Sequence, residues 1–158
     1  MPFRPNLFLN YISTAICSGL FLVAISGSVW AGDPIHPVKM GQSQIAGGIF
    51  EDYDPVVTTN EENGNTTHDV EVFLSSDKMF DAGMYRSGKV RFDINEPYGV
   101  DEYMHFLEGG VTLTSSDGTV TEIMAGDSVV IPKEWTGVWE TDGYMKIYVI
   151  YSPDAPIE

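Results

Sequence analysis

The residues with the strongest intrinsic metal-binding or nucleophilic chemistry, three histidines and one cysteine, are scattered along this 158-residue chain. Cys17 lies in an apolar N-terminal segment, His36 in a polar stretch with two prolines, and His68 at the edge of an acidic loop. His105 alternates with apolar neighbours, so in a strand its ring points to the opposite face from theirs. The sequence therefore disfavours zinc, copper or iron chemistry, which depends on imidazole or thiolate ligands.

The remaining chemistry is that of carboxylates and aromatic rings. If Glu102 faces the interior of a β-fold, alternation brings Tyr98 and Met104 to the same face. A buried carboxylate without a partner tends to stay protonated, and a raised pKa is what a general acid or base needs. The alternative is structural, because Glu102 could instead bond Tyr98, Tyr148 or Arg91 across the fold.

Two tryptophans offer a second kind of surface. Trp135 and Trp139 share one face of a later strand and could stack on a carbohydrate or a cation. They could equally fill the core. Core packing suits Trp139, whereas Trp135, beside Glu134, suits the mouth of a pocket.

The elements that must position these residues are predicted to be strands. Short runs of alternating apolar and polar residues recur from Asp69 onward, and turn pairs such as Asp117-Gly118 and Asp142-Gly143 separate them. No segment shows a convincing 3.6-residue apolar period. The sequence predicts an all-β domain, a sandwich or barrel.

The N-terminal segment has the features of a secretory signal peptide. Arg4 is the only charged residue before Asp33, the stretch 15–26 is mostly apolar, and Val29-Trp30-Ala31 resembles a cleavage site. We expect cleavage after Ala31; an uncleaved membrane anchor is the alternative, since residues 8–31 are long enough to span a bilayer. Cleavage removes Cys17 and with it any thiol chemistry.

Composition restricts the partners and the domain boundaries. The formal net charge of −15 argues against binding nucleic acid or an anionic membrane surface. Residues 32–68 are polar and then acidic, so we predict a linker or N-terminal arm followed by a solvated loop, with the folded domain at residues 69–158. The acids of the loop match no calcium-binding spacing.

Five pieces of the second half, in order, resemble a known family. They are Asp101–Gly109, Leu113–Gly118, Ala125–Asp127, Ile131–Lys133 and Thr136–Glu140. Together they are similar to the two motifs of the cupins, and within these to the (S)-ureidoglycine aminohydrolase-type domains. The resemblance implies a single-domain jelly-roll barrel, the double-stranded β-helix, that is often dimeric.

The same resemblance implies where a metal site would lie. The glutamate of the family falls on Glu102, its first two histidine positions on Glu96 and Tyr98, and its last on Gly137, which would leave an open space. Only Glu102 keeps the usual ligand type, so we expect no metal. If one binds, a hard ion such as manganese would use Glu96, Tyr98 and Glu102 with water.

Two functions of different class follow. The first is an exported protein, secreted or periplasmic, that binds a small molecule such as an amine or a polyol in an acidic, aromatic pocket and forms a homodimer. The second is an enzyme of the ureidoglycine aminohydrolase type or a related lyase or isomerase, with Glu102 as acid, base or manganese ligand. A purely structural dimer is a third. The predicted ligand-binding residues are Tyr85, Glu96, Tyr98, Glu102, Met104, Trp135, Trp139 and Tyr148.

Overall fold

The structure is a computed structural model that describes residues 35–157. In this part of the chain, eight antiparallel strands form the fold. The strands are β1 (Val56–Thr59), β2 (Thr66–Leu74), β3 (Phe80–Ser87), β4 (Val90–Ile94), β5 (Asp101–Ser115), β6 (Val120–Met124), β7 (Ser128–Ile131) and β8 (Gly137–Tyr151). Glycine turns at Gly118 and Gly126, both with positive φ, connect three of them. The predicted all-β, jelly-roll architecture is confirmed.

The two longest strands, β5 and β8, pair along their whole length from Asp101↔Tyr151 to Ser115↔Gly137. The order is β1-β2-β3-β8-β5-β6, with β4 also pairing with β8 and β7 with β5. A bulge bends the pair near Gly109, where φ is 65° and a Cβ would lie 2.0 Å from the carbonyl oxygen of Gly143. Glycine at this position therefore lets the two strands curve around the interior.

The interior of the barrel holds the larger apolar cluster. Its fully buried side chains come mainly from β5 and β8, whose inward positions alternate with outward ones as the sequence predicts. The buried members are Met104, Phe106, Val111, Leu113, Ile123, Ile131, Trp139, Tyr144 and Tyr148. This cluster is the setting of the site described below.

A second cluster lies on the outer face of the sheet and corrects the predicted domain boundary. The segment 32–68 was expected to be a linker, an arm and a loop, but it contains a short π-helical turn, Gln44–Gly48, and the helix α1, Ile49–Asp52. Ile49 and Phe50 are buried against β2, β3 and β8. Because the segment is mostly polar, its sequence pattern did not predict that Ile49 and Phe50 pack against the sheet.

The folded unit therefore begins earlier than residue 69. The compact unit that contains all the strands spans Val38–Glu158, and β1 with the first residues of β2 falls in the predicted acidic loop. The other unit, Met1–Pro37, lies almost wholly outside the described residues, as does the predicted signal peptide at residues 1–31. Within residues 35–157, no helix is both long enough and apolar enough to cross a bilayer.

Candidate functional site

A buried ion pair lies inside the barrel. Lys146 on β8 and Glu102 on β5 are 5% and 3% exposed, and Lys146 Nζ donates to Glu102 Oε1 at 2.6 Å. The register explains the meeting, because Glu102 pairs with Ile150 and the inward positions of β8 recur every second residue down to Lys146. Charge-assisted hydrogen bonds of this length are among the stronger ones in proteins.

Tyr98 completes the coordination of the carboxylate. Its hydroxyl donates to Glu102 Oε2 at 2.5 Å. The loop that carries it is fixed by two backbone hydrogen bonds, Tyr98 N–H to the Trp135 carbonyl at 3.0 Å and Gly99 N–H to the Lys133 carbonyl at 2.7 Å. Burial, followed by the nearby charge of Glu102, raises the pKa of Tyr98 well above its usual value, so the phenol remains a neutral donor.

Aromatic rings surround the ammonium group of Lys146. Its Nζ lies 5.5 Å from the ring centroids of Tyr85 and Trp139 and 5.8 Å from that of Tyr144. Cation–π attraction grows when the cation is removed from water, and these three rings and Glu102 all favour the charged ammonium. Met104 Sδ lies 3.0 Å from the same nitrogen. A charged lysine can therefore be kept in the interior, where lysine is rare.

Two further tyrosines border this group. Tyr144 stacks against Tyr85 at 6.1 Å and packs against Phe106 at 5.3 Å, and burial raises the pKa of both tyrosines. The hydroxyl of Tyr148 donates to Asp69 Oδ1 at 3.0 Å. It reaches β2 because Gly83 lies between, where a Cβ would be 2.6 Å from that hydroxyl.

The two tryptophans differ in how their indole N–H groups are satisfied. Trp135 Nε1 donates to Ser115 Oγ at 3.1 Å, and its ring lies edge-on to Tyr98 at 6.4 Å. Trp139 is 4% exposed, and its Nε1 has no acceptor in the part of the chain that the structure describes. A buried donor left without a partner costs about 1–3 kcal/mol.

The structure brings most of the predicted site residues together. We call Tyr85, Tyr98, Glu102, Met104, Trp139, Tyr144 and Lys146 the interior cluster. Trp135 packs against its edge through Tyr98, and Tyr148 is part of the same core but bonds Asp69. The predicted contact between Glu102 and Tyr98 is present, whereas Arg91 pairs with Asp93 and Glu140 outside.

Two sequence predictions about the pocket were wrong. Glu96 is exposed, because β4 ends at Ile94 and the strand alternation that would turn Glu96 inward stops there. Gly137 does not leave an open space: a Cβ there would lie 2.2 Å from the Thr114 carbonyl oxygen and 2.8 Å from the Trp135 ring. Of the two acidic residues predicted to face the interior, only Glu102 is buried.

The sequence analysis missed Lys146. A signal for it existed, since Tyr144, Lys146 and Tyr148 alternate along β8 and all three are buried. Placing Tyr148 on the inner face puts Lys146 on that face as well. The interior is thus not simply acidic, because the charge of Glu102 is balanced by a lysine.

The donor set does not fit the metal ion that this fold commonly holds. Both oxygens of Glu102 are engaged, one by an ammonium and one by a phenol. A cation bound to this carboxylate would be repelled by the ammonium of Lys146, whose Nζ lies 2.6 Å from Oε1. The ligands predicted for a hard ion such as manganese, Glu96, Tyr98 and Glu102, do not lie together, because Glu96 is exposed. Among residues 35–157, no group of three or more His, Cys, Asp or Glu side chains is arranged to hold a metal.

A concave feature of the described surface lies elsewhere. It is an open groove of about 750 Å³, lined among others by His68, Arg86 and Glu108, and it shares only Tyr144 with the interior cluster. His68 and Arg86 contact Phe50 of α1. We place the functional site at the interior cluster because buried, paired charges are found there.

Comparisons with known proteins agree on the fold. Residues 74–148 match a family model described as the EutQ-like cupin domain. A protein of unknown function from Pseudomonas syringae superposes with a TM-score of 0.55 at 16% identity over 62% of this chain, which spans only 44% of that protein. The EutQ protein of Clostridium difficile superposes with a TM-score of 0.50 at 21% identity, covering 60% of this chain and 75% of that one. No curated protein matches the chain.

Proposed function

We propose that the barrel, whose residues 74–148 match a cupin-domain family model, binds a small organic molecule at the interior cluster without a metal ion. The observation that carries the proposal is the buried pair of Lys146 and Glu102, with Tyr98 on the second carboxylate oxygen. Lys146 supplies the positive charge, Glu102 and Tyr98 orient it, and the surrounding rings supply apolar contact area.

The ion pair of Lys146 and Glu102 contributes little to the stability of the fold. A buried ion pair gains little over well-packed apolar residues of the same volume, because both charges lose their hydration. The cluster on the outer face of the same sheet, around Ile49 and Met84, has an apolar core, and Arg86 lies against its edge over the Phe50 ring. A paired charge in the interior adds little to the stability of the fold, and ligand recognition gives it a role.

A binding screen tests the proposal. The purified protein is titrated calorimetrically with amines, polyols, ureido compounds and manganese chloride, and compared with the Lys146→Met and Tyr98→Phe variants and with Lys89→Met as a matched surface control. We expect one organic class to bind the parent and Lys89→Met, and to bind at least tenfold more weakly to the other two. Equal binding to all four proteins, or stoichiometric manganese binding, would contradict the proposal.

An enzymatic role is the second candidate. The contact of 2.5 Å between Tyr98 and Glu102 joins a phenol to a buried carboxylate, and that carboxylate is able to accept a proton from a bound substrate. This version corresponds to the ureidoglycine aminohydrolase-like or related lyase or isomerase activity, with Glu102 as acid or base. Turnover of a ureido compound that is lost in Glu102→Gln while binding persists would favour it.

We also propose that the protein is exported and acts as a homodimer, secreted or in the periplasm. Export is supported by the signal-like residues 1–31 and tested by N-terminal sequencing of the protein from cell fractions. Dimer formation is supported by exposed apolar residues on the outer sheet face, such as Tyr103, Val130 and Tyr151. Sedimentation of the parent and of Val130→Asp tests it, since an interface there would be lost in the variant.

A further inference from the structure

The indole N–H of Trp139 is an unused hydrogen-bond donor beside the buried ammonium. Trp139 is 4% exposed, and no acceptor within the described residues reaches Nε1. Lys146 has three N–H donors, of which one faces Glu102 Oε1 and one faces Met104 Sδ. One N–H of Lys146 therefore remains for another acceptor.

The two groups border the same part of the interior. Lys146 Nζ lies over the Trp139 ring, 5.5 Å from its centroid. An oxygen that accepts the indole N–H in the plane of the ring is therefore attracted by the nearby ammonium charge as well.

The charges of Lys146 and Glu102 restrict which class of ligand can supply the acceptor atom. Lys146 and Glu102 together are neutral, so a bound carboxylate would leave an uncompensated negative charge in a buried site of a chain whose net charge is −15. A bound amine would meet Lys146, which already occupies the position between the rings of Tyr85 and Trp139. An uncharged acceptor oxygen avoids both costs.

We propose that Trp139 Nε1 donates to the carbonyl oxygen of an uncharged ligand held beside the Lys146 ammonium, such as an amide, a ureido compound or a ketone. The inference rests on the proposed function and specifies its ligand class. It differs from the sequence-based expectation of an amine or a polyol in that the protein supplies the cation itself. The stacked rings of Tyr85 and Tyr144 offer a flat apolar wall for the group that carries the carbonyl.

Nitrogen-15 labelling of the tryptophan indoles tests this directly, because the chain contains its own control. Trp135 Nε1 already bonds Ser115 Oγ, so its indole resonance has no reason to respond to a ligand oxygen at Trp139. The resonances are assigned from Trp135→Phe and Trp139→Phe spectra. Three probes of similar size are titrated: acetamide as the uncharged carbonyl, acetate as the anion and ethylammonium as the cation.

We expect acetamide to shift the Trp139 indole proton downfield in a saturable manner, to leave Trp135 unmoved, and to have no effect in Lys146→Met. Lys89→Met serves as the matched control and should respond like the parent. A saturable Trp139 shift with acetate or ethylammonium alone would overturn the ligand class and leave the binding site standing. No Trp139 shift, when calorimetry detects acetamide binding that Tyr98→Phe weakens, would overturn the role of Trp139. Absence of binding by every compound tested would overturn the proposed function as well.

Discussion

Two lysine–carboxylate pairs in this protein have almost the same geometry and opposite surroundings. Lys146 Nζ lies 2.6 Å from Glu102, and Lys89 Nζ lies 2.7 Å from Asp142. The side chains of the first pair are 7% and 4% exposed, and those of the second are 81% and 89% exposed. The contact distance therefore does not indicate how much either pair contributes to stability. That contribution depends on how far water is excluded from the pair.

The difference lies in what replaces a lost partner. At the surface, water solvates Asp142 if Lys89 is removed. In the intact pair, the hydrogen bond and charge of Lys89 lower the pKa of Asp142, and the hydrogen bond and charge of Asp142 raise the pKa of Lys89. In the interior, Glu102 would keep only the hydroxyl of Tyr98. Removing Lys146 thus leaves a buried charge without compensation.

The largest effect is predicted for Lys146→Met, which keeps the length of the side chain and removes the charge. We expect a loss of about 3–5 kcal/mol in the free energy of unfolding, the usual result of breaking a buried pair on one side. Urea denaturation followed by circular dichroism measures it. The double variant Lys146→Met/Glu102→Gln should recover much of the loss, because the remaining amide is neutral and can still accept from Tyr98. A double variant as unstable as the sum of its single changes would show that the charges do not interact.

Tyr98→Phe is predicted to have an intermediate effect, because it removes one hydrogen bond to a charged group. We expect a loss of about 1.5–3 kcal/mol near neutral pH, measured in the same way. Tyr53→Phe is the matched control, since the side chain of Tyr53 is exposed and the loss of its hydroxyl should matter little.

The pH dependence of Tyr98 has a definite sign. Burial raises the pKa of Tyr98 in the folded state above its usual value of 10, so the folded protein holds the phenolic proton more tightly than the unfolded chain does. The stabilisation is complete below about pH 10 and declines as the pH rises further. Stability curves of the parent should therefore fall more steeply above pH 10 than those of Tyr98→Phe. Parallel curves would mean that Tyr98 is not protected by burial.

The same comparison explains which parts of the site the sequence could predict. Alternation along β5 is unbroken from Glu102 to Phe106, so the inward set was correctly placed, and five motif pieces in order predicted the barrel. Lys146 was not predicted to lie in the interior, because lysine is normally a surface residue. Its neighbours at i ± 2, Tyr144 and Tyr148, are both buried. Glu96 was misplaced because the family position that falls on it faces the interior, whereas in this chain β4 ends at Ile94, before Pro97.

The helical segment could not be predicted by periodicity at all. Its helix α1 has only four residues, too few for a helical period to be recognised. Ile49 and Phe50 are adjacent in the chain and are buried together against the sheet, a pattern that local sequence cannot distinguish from an apolar pair in a loop. Only the exposed apolar face of the sheet, which requires a cover, determines their position.

The smallest effect is predicted for Lys89→Met, and it measures the surface side of the comparison. The pair with Asp142 is solvated on all sides and screened by salt, so we expect no change in the urea midpoint beyond experimental error at physiological ionic strength. Raising the salt concentration should remove any difference that appears at low ionic strength, whereas the loss in Lys146→Met should persist, because salt does not reach a pair buried among aromatic rings. If Lys89→Met destabilised the protein as much as Lys146→Met does, burial would not explain a difference in stability between the two ion pairs. The interior pair would then not be energetically distinct from the surface pair.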